Sequence, residues 1–425
     1  MTKKQSRTRA LLTLAAGFFF VLGEMACNHS QSPPGETSSP SSPKPAPHAA
    51  SAGITTHAPD AFYDAPANVP SRPGALLRSE TLRDVTLPAG MQAWRILYTT
   101  TVDDKTPATA VATVFAPVNM PAGPRPVITW EHGTTGLLQK CMPSLISAPT
   151  AGIPAIDRVI ASGWVIVATD YSFAEKGGPH PYLIGEGEAR AALDSVRAAR
   201  HMPGLKLDER TVVWGHSQGG HSALWTGIVG PHYAPEIKIV GVAAIAPAAN
   251  MKDILAMNPA VNKRLGPYIA LSYSRFYPDV KFEHALHPEA LAAAREIVDL
   301  CGFLPPEDPQ RIAALTATMA GPTLATDTNK ALATRIKQNV ADHPIAAPLL
   351  IAQGLADAVV PPAATQAYVD ERCAAGQRLE FWKVAGRDHG GIVQPGTPIE
   401  EPLVAWTTAR FSNEQQASGC TQKSY

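Results

Sequence analysis

Residues 215–219 read GHSQG and constrain the fold of this chain more than any other segment. A short β-branched and aromatic run at 211–214 precedes them, and apolar residues at helical spacing follow at 220–227. This order predicts a strand, a sharp turn and a helix, with glycines where a Cβ atom would collide with neighbouring elements. Ser217, at the centre of the turn, is predicted to expose its hydroxyl at the carboxyl edge of a sheet.

The pentapeptide has the GxSxG form of the nucleophile elbow of α/β-hydrolases, in which an acid and then a histidine follow the serine along the chain. A serine hydroxyl needs such a base, oriented by an acid, because it is a poor nucleophile at neutral pH. Asp357 follows the apolar run 349–354, and His389 lies in a glycine-containing loop just past the last predicted strand. We therefore predict a triad of Ser217, His389 and Asp357.

Other acids and histidines fit these roles less well. Asp388 would point away from the neighbouring histidine, and Asp370 falls in a predicted helix. His216 and His221 are close to the serine in sequence but on the wrong side of the turn, where packing or hydrogen bonding beneath the elbow is the expected role. The histidines without a suitable acid and strand context are His132, His180, His201 and His343.

An oxyanion hole needs backbone or side-chain donors aimed at the developing negative charge. The N–H of Gln218, directly after the nucleophile, is one predicted donor. The other is predicted from Gly133 or Thr134, in the loop after the apolar run 126–130; a tight glycine turn without chemistry is the alternative for this loop. The sequence has no HExxH or CxxC motif and no glycine-rich phosphate loop, so we expect neither a metal nor a cofactor.

Strand and helix signals alternate from about residue 70, which predicts an α/β fold with a mostly parallel central sheet and helices on both faces. β-rich runs at 93–101 and 108–116 predict an antiparallel hairpin. The helix predicted at 185–201 has Glu186 and Glu188 in its first turn, which suits the helix dipole. The remaining strands are predicted at 126–130, 164–169, 211–214, 237–246, 347–354 and 378–384. Residues 248–346 lack strand signals, and helical stretches such as 287–299 and 311–318 predict a cap inserted over the catalytic edge.

The N-terminal region carries signals for export. Residues 1–27 begin with basic residues and continue with an apolar run shorter than the roughly 20 residues that a spanning helix needs, which predicts an export signal. Ala26 before Cys27 resembles a bacterial lipoprotein signal, whereas Glu24 and Met25 depart from that pattern. Lipidation of Cys27, with a membrane tether, and ordinary cleavage nearby both stay open. The expected location is therefore an outer-membrane or cell-surface lipoprotein, the periplasm or the medium.

The predicted export signal is followed by residues 28–70, rich in Ser and Pro, which predict a disordered linker before a hydrolase domain at 71–425. Basic and acidic residues number 36 each and charged residues make up only 17% of the chain, so no basic field exists to attract nucleic acid. A small-molecule or lipid substrate that is neutral or weakly charged is expected. Four cysteines besides Cys27 predict two disulfides with three pairings. They are Cys141, Cys301, Cys373 and Cys420; we favour 141 with 301 and 373 with 420, although spacing alone does not decide.

Several further segments accompany the elbow. They read WEHGTTG at 130–136, GWVIVATDY at 163–171, HPYL at 180–183, ALDSVRAAR at 192–200, QGLAD at 353–357 and VPP at 360–362. Together they resemble the secretory lipase family of α/β-hydrolases, the bacterial relatives of fungal lipase A, over about residues 94–411. The resemblance implies an exported serine enzyme with a helical cap that cleaves carboxylic esters, often lipid esters.

The sequence thus predicts a lipase or carboxylesterase of lipid degradation that works through an acyl-enzyme. A peptidase or amidase on the same fold is one alternative, and a non-catalytic surface protein that captures a ligand is another. Chemically competent residues at all three triad positions argue against the binding protein. Acyl-chain length and oligomeric state stay open.

Overall fold

The computed structural model describes residues 53–172, 178–302 and 308–425. The predicted export signal, Cys27 and the part of the predicted linker before residue 53 lie outside the described residues. Among the helices that are described, none combines the length and the hydropathy that crossing a bilayer requires.

The described strands form one sheet of ten strands in the order β1-β2-β3-β5-β4-β6-β7-β8-β9-β10. They are β1 (Leu76–Thr81), β2 (Met91–Thr101), β3 (Pro107–Pro117), β4 (Arg125–Glu131), β5 (Val165–Thr169), β6 (Leu207–His216), β7 (Lys238–Ile245), β8 (Leu349–Gly354), β9 (Leu379–Val384) and β10 (Cys420–Ser424). Strands β1 to β3 are antiparallel and β3 runs antiparallel to β5, whereas all pairs from β5 to β10 are parallel. The predicted fold class and hairpin are confirmed.

Helices cover both faces of this sheet. Five of them are α1 (Ile156–Ala161), α2 (Gly185–Ala199), α3 (Gln218–Tyr233), α10 (Pro362–Ala374) and α11 (Glu400–Phe411). Side chains alternate along each strand, so Val212 and Trp214 of β6 face α1 and α11, while Val213 faces α3 and α10. Burial of each such aliphatic side chain contributes about 1.5–3 kcal/mol, which is why these strands are almost wholly apolar.

The segment between β7 and β8 is helical, as predicted, and we call its helices the cap. They are α4 (Met251–Met257), α5 (Pro259–Phe276), α6 (Phe282–Ala285), α7 (Leu291–Ile297), α8 (Pro309–Thr318) and α9 (Lys330–Gln338). The cap has its own apolar core around Tyr268 and Tyr273, and this core continues into Tyr182 and Val360 at the carboxyl edge of the sheet. Asn258 is the N-cap of α5 and donates a hydrogen bond from Nδ2 to the carbonyl oxygen of Ala358, 2.8 Å away.

The folded part of the chain begins earlier than the predicted domain boundary at residue 71. A short 3-10 helix at Ala61–Tyr63 buries both of its aromatic side chains, and the Arg95 guanidinium lies 4.4 Å from the centre of the Phe62 ring. The Ser- and Pro-rich composition of the predicted linker gives no sign that Phe62 and Tyr63 are buried. Phe62 and Tyr63 thus anchor part of the segment before residue 71 to the folded domain, although most of residues 53–70 are exposed.

Two disulfides join distant parts of the fold in the pairing that the sequence favoured. Cys141, which follows the loop after β4, is bonded to Cys301 of the cap. Cys373 at the end of α10 is bonded to Cys420, the first residue of β10. The first bond ties the cap to the sheet, and the second fastens the edge strand.

Candidate active site

The elbow predicted at Ser217 is present between β6 and α3. Ser217 has φ 59° and ψ −117°, a backbone conformation that costs energy for a residue with a side chain. Gly219 is required because a Cβ there would overlap the carbonyl oxygen of Glu131 at the end of β4. Gly215 is required because a Cβ would overlap the carbonyl oxygen of Gly219. The close approach of α3 to β4 and β6 thus fixes the strained turn.

The structure brings the three predicted triad residues together. His389 Nε2 lies 2.8 Å from Ser217 Oγ, and His389 Nδ1 lies 2.8 Å from Asp357 Oδ2. Because a carboxylate only accepts, Nδ1–H donates to Asp357, which leaves Nε2 to accept the hydrogen bond of the serine hydroxyl. The Asp357 side chain is fully buried, whereas that of His389 is 15% exposed. The histidine is therefore in the tautomer that a general base needs.

Asp357 is held by three donors besides the histidine. The N–H groups of Val359 and Val360 donate to its Oδ1 at 2.8 and 2.9 Å, and Gln353 Nε2 donates to Oδ2 at 2.9 Å. Sequence analysis did not identify Gln353 as a site residue, although it lies in the quoted QGLAD segment. Its amide fixes the carboxylate that faces His389.

His216 supports the histidine loop and does not compete as a base. Its Nε2–H donates to the carbonyl oxygen of His389 at 2.7 Å. Burial, and then the nearby His389 ring, lower the pKa of His216 to about 3, so it is neutral near pH 7. The expected role in hydrogen bonding near the elbow agrees with this contact.

The other competitors have different partners. Asp388 Oδ1 accepts a hydrogen bond from Gly391 N at 2.7 Å, and Asp370 lies in α10, where it accepts from Gln366. His132 contacts the carbonyl oxygen of Gly133 with Nδ1 at 2.6 Å, and burial lowers the pKa of this histidine to about 4. None of these contacts involves Ser217.

The predicted oxyanion donors lie beside the nucleophile. Gln218 is the first residue of α3, where a backbone N–H has no acceptor within the helix. Gly133 is so close that a Cβ there would lie 3.4 Å from Ser217 Cβ. Thr134 Oγ1 is 3.0 Å from the Tyr182 hydroxyl, and both residues line the cavity at Ser217. Both predicted donor segments thus lie close to Ser217.

A small cavity adjoins Ser217 beneath the cap. Its walls are largely aliphatic and come from the cap helices α4 and α5, from the loop after β8 and from the segments just before α2 and α4. They include Leu183, Ala248, Met251, Ile254, Val261, Leu265, Val359 and Val360. The cavity volume is about 10 Å³, roughly the space that one water molecule occupies. This cavity is too small to hold an acyl chain, whereas Ser217 itself is partly exposed.

No group of three or more metal-ligating side chains occurs among residues 53–172, 178–302 and 308–425. A family model described as Secretory lipase matches residues 150–419, more than half of the chain. The chain belongs to the secretory lipase family. Lipase A of Moesziomyces aphidis is 26% identical to this family member over 354 residues, which are 76% of this chain and 74% of the relative. A probable inactive lipase of Mycobacterium tuberculosis is 23% identical over 84% of this chain and 82% of its own.

Among solved structures, Candida antarctica lipase A in its closed state is similar with a TM-score of 0.66 at 21% identity, covering 85% of this chain and 87% of that chain. At this identity the likeness bears on the fold alone, and it agrees with the α/β-hydrolase architecture. Family membership confirms the resemblance drawn from the sequence segments. This secretory lipase family member is a carboxylic ester hydrolase.

Proposed function

We propose that the protein hydrolyses carboxylic esters through an acyl-enzyme on Ser217, with His389 as general base and Asp357 as the residue that orients it. The observation that carries this proposal is the unbroken pair of 2.8 Å hydrogen bonds from Ser217 to His389 and from His389 to Asp357. One relative is called a probable inactive lipase, so membership of the family is weaker support for activity than this geometry is.

In the first half of the reaction, Ser217 Oγ attacks the ester carbonyl carbon while its proton passes to His389 Nε2. The carbonyl oxygen becomes an oxyanion, which accepts hydrogen bonds from the N–H of Gln218 and from the N–H of Gly133 or Thr134. His389 then gives the proton to the departing alcohol, and the acyl group stays on Ser217. In the second half, water gives its proton to His389 and attacks the acyl carbon, and Ser217 recovers its hydrogen as the acid leaves.

The cavity supports a neutral, apolar acyl group as the substrate part that the protein buries. Among the described residues that line it, none carries a charge that could pair with a charged group, and desolvating an unpaired charge is costly. The acyl chain would displace cap side chains of α4 and α5, so binding and cap movement are coupled. Lipid esters and smaller neutral esters both meet these requirements.

We also propose that the protein is exported, with residues 1–27 as its signal and residues 248–346 as the cap of its hydrolase domain. The two disulfides support an oxidising compartment, where such bonds persist. Lipidation at Cys27 would tether the enzyme to a membrane. Labelling cells with an alkynyl fatty acid tests this: wild type but not Cys27→Ala should become labelled.

Turnover of p-nitrophenyl butyrate and labelling by a serine-directed phosphonate test the proposed chemistry. We expect hydrolysis by the wild type, phosphonate attached at Ser217, and a loss of kcat by at least about 10⁴-fold in Ser217→Ala. Ser412→Ala, an exposed serine at the end of α11, should retain full activity. Faster cleavage of a p-nitroanilide would indicate a peptidase or amidase. A folded wild type with neither turnover nor labelling would overturn the proposal and favour a binding protein.

A further inference from the structure

A buried polar cluster lies directly beneath the elbow, and the reaction proposed above does not use it. It consists of Glu188 from α2, Gln218 and His221 from α3, and Asn339 at the end of α9. Glu188, Gln218 and His221 are each at most 1% exposed. Gln218 Nε2 donates to Glu188 Oε1 at 2.9 Å, and His221 Nδ1 lies 2.7 Å from Glu188 Oε2.

The hydrogen bonds fix how many protons the cluster holds. His221 Nε2 lies 2.7 Å from the carbonyl oxygen of Asn339, which only accepts, so Nε2 carries a hydrogen. The 2.7 Å contact between Nδ1 and Glu188 Oε2 needs one further proton, held by either atom. The acid and the imidazole together therefore carry no net charge, and burial, which raises the pKa of Glu188, is consistent with this sharing. The cluster can sit close to a developing oxyanion without repelling it.

One carboxylate oxygen connects two parts of the site. Glu188 Oε1 accepts from Gln218 Nε2 and also from the backbone N–H of Leu183, both at 2.9 Å. Gln218 carries the proposed oxyanion donor on its backbone, and Leu183 lines the cavity beside Ser217. Glu188 thus contacts both the first turn of α3 and the cavity wall.

The same cluster reaches the cap through Asn339. The carbonyl oxygen of Asn339 accepts from His221, its Oδ1 accepts from Gly185 N at 2.9 Å, and its Nδ2 donates to the Tyr277 hydroxyl at 2.8 Å. Apolar side chains fill such a space at least as stably as a buried ionisable pair does, so stability alone is a weak reason for this arrangement. Its contacts instead run between the elbow and the cap.

We propose that Glu188 is a positioning residue for ester hydrolysis: by holding the side chain of Gln218 it keeps the backbone N–H of that residue aligned with the oxyanion, and through His221 it links this donor to the cap at Asn339. The inference rests on the proposed function, since it concerns the donor that serves the Ser217 reaction. An interaction made with the oxyanion alone lowers kcat when it is lost and leaves KM nearly unchanged.

Gln218→Met, which removes the amide at similar volume, tests the inference without placing a new charge in the core. We expect kcat for p-nitrophenyl butyrate to fall about 10- to 100-fold with KM changed less than threefold. Misaligning an oxyanion donor should reduce kcat less than deleting it does. Phosphonate labelling of Ser217 should slow in parallel. Glu188→Gln should keep kcat within about threefold, since a glutamine can donate to neutral His221 and still accept from Gln218 and Leu183.

Gln416→Met is the matched control. The Gln416 side chain is also buried, and its amide bonds the backbone of Leu349 at the opposite end of β8 from Asp357. We expect this variant to melt at a lower temperature with kcat unchanged. A Gln218→Met enzyme that is folded and keeps its kcat would overturn the inference, as would a loss in Glu188→Gln as large as in Gln218→Met. An inactive, unlabelled wild type would instead refute the proposed function itself.

Discussion

Asp357 accepts four hydrogen bonds, two on each carboxylate oxygen. An asparagine in its place would turn its NH₂ group towards two hydrogen-bond donors in either orientation of the amide. These donors are the N–H groups of Val359 and Val360 on one side, and Gln353 and His389 on the other. The most direct relief is for His389 to change tautomer, so that Nδ1 accepts and Nε2 carries the hydrogen. In that form His389 cannot take the proton of Ser217.

Asp357→Asn should therefore lower kcat by about 10⁴-fold, as the wrong tautomer does in serine hydrolases generally. Steady-state kinetics with p-nitrophenyl butyrate measures this. Asp370→Asn, a surface acid in α10 that bonds Gln366, is the control and should behave like the wild type. A loss of less than tenfold in Asp357→Asn would contradict the assignment of the acid.

Sequence reasoning predicted the triad because chain order and strand ends suffice to place Ser217, Asp357 and His389 at one edge. It did not predict the supporting residues. Glu188 was assigned to the helix dipole, yet it is buried against His221 of a different helix. Gln353 likewise acts on a residue four positions away through a turn. Such roles depend on how helices pack, which local patterns do not specify.

The elbow is an element that requires glycine where a side chain would collide with the neighbouring backbone. Gly219→Ala should destabilise the fold by more than about 3 kcal/mol, because the new methyl group would overlap the Glu131 carbonyl oxygen and force α3 away from β4. Thermal melting and phosphonate labelling should both decline. Gly321→Ala, in the cap, is the control, since a Cβ there meets nothing within 4 Å. Equal melting temperatures for the two variants would refute the steric argument.

Helix α4 lines the cavity beside Ser217, so we expect it to limit how much of an acyl chain fits there. Ile254→Ala removes three carbons from the cavity wall, and each buried CH₂ of substrate is worth about 0.8 kcal/mol. If about two further CH₂ groups of a decanoyl chain fit into the enlarged cavity, the ratio of kcat/KM for p-nitrophenyl decanoate over butyrate should rise about tenfold. Leu332→Ala, which opens the cap core at α9 away from the cavity, should leave the ratio unchanged. An unchanged ratio in Ile254→Ala would show that α4 does not limit chain length.

Strand and helix types followed from sequence wherever a face is buried. The central strands are apolar on both faces and were all found. Strands β1 and β10 were missed because they lie at the sheet edges, where most of their residues are partly or fully exposed and no apolar pattern marks them. Edge strands are identified by their pairing partners, which a single sequence does not give.

Several buried titratable groups make the stability of the whole molecule depend on pH. Burial lowers the pKa of His132 to about 4 and of His180 to about 3. These neutral histidines contribute stability above pH 6.5 that is lost as the pH falls towards their folded values. Asp170 has the opposite effect, since burial raises its pKa to about 7.

For Asp170 the folded pKa lies above the unfolded value of 3.8, so its contribution is complete below about pH 4 and is lost as the pH rises towards 7. Asp170→Asn can still accept from Ser144 N and does not ionise. Its free energy of unfolding relative to wild type should therefore rise between pH 4 and 7, by at most about 4 kcal/mol, and stay constant above. Urea midpoints across this range measure the difference. A difference independent of pH would contradict a buried neutral Asp170.

Strands β7 and β8 are parallel neighbours, and the chain between them comprises residues 246–348. A parallel neighbour can be reached by a connection of about a dozen residues, so nearly all of this segment is additional to what the sheet requires. Loop-closure entropy grows only slowly with length, so the sheet tolerates changes in the length of the exposed loops between the cap helices. Related genes can diverge in this one connection while the reacting groups stay fixed, so changes in substrate preference during evolution should be concentrated between residues 246 and 348.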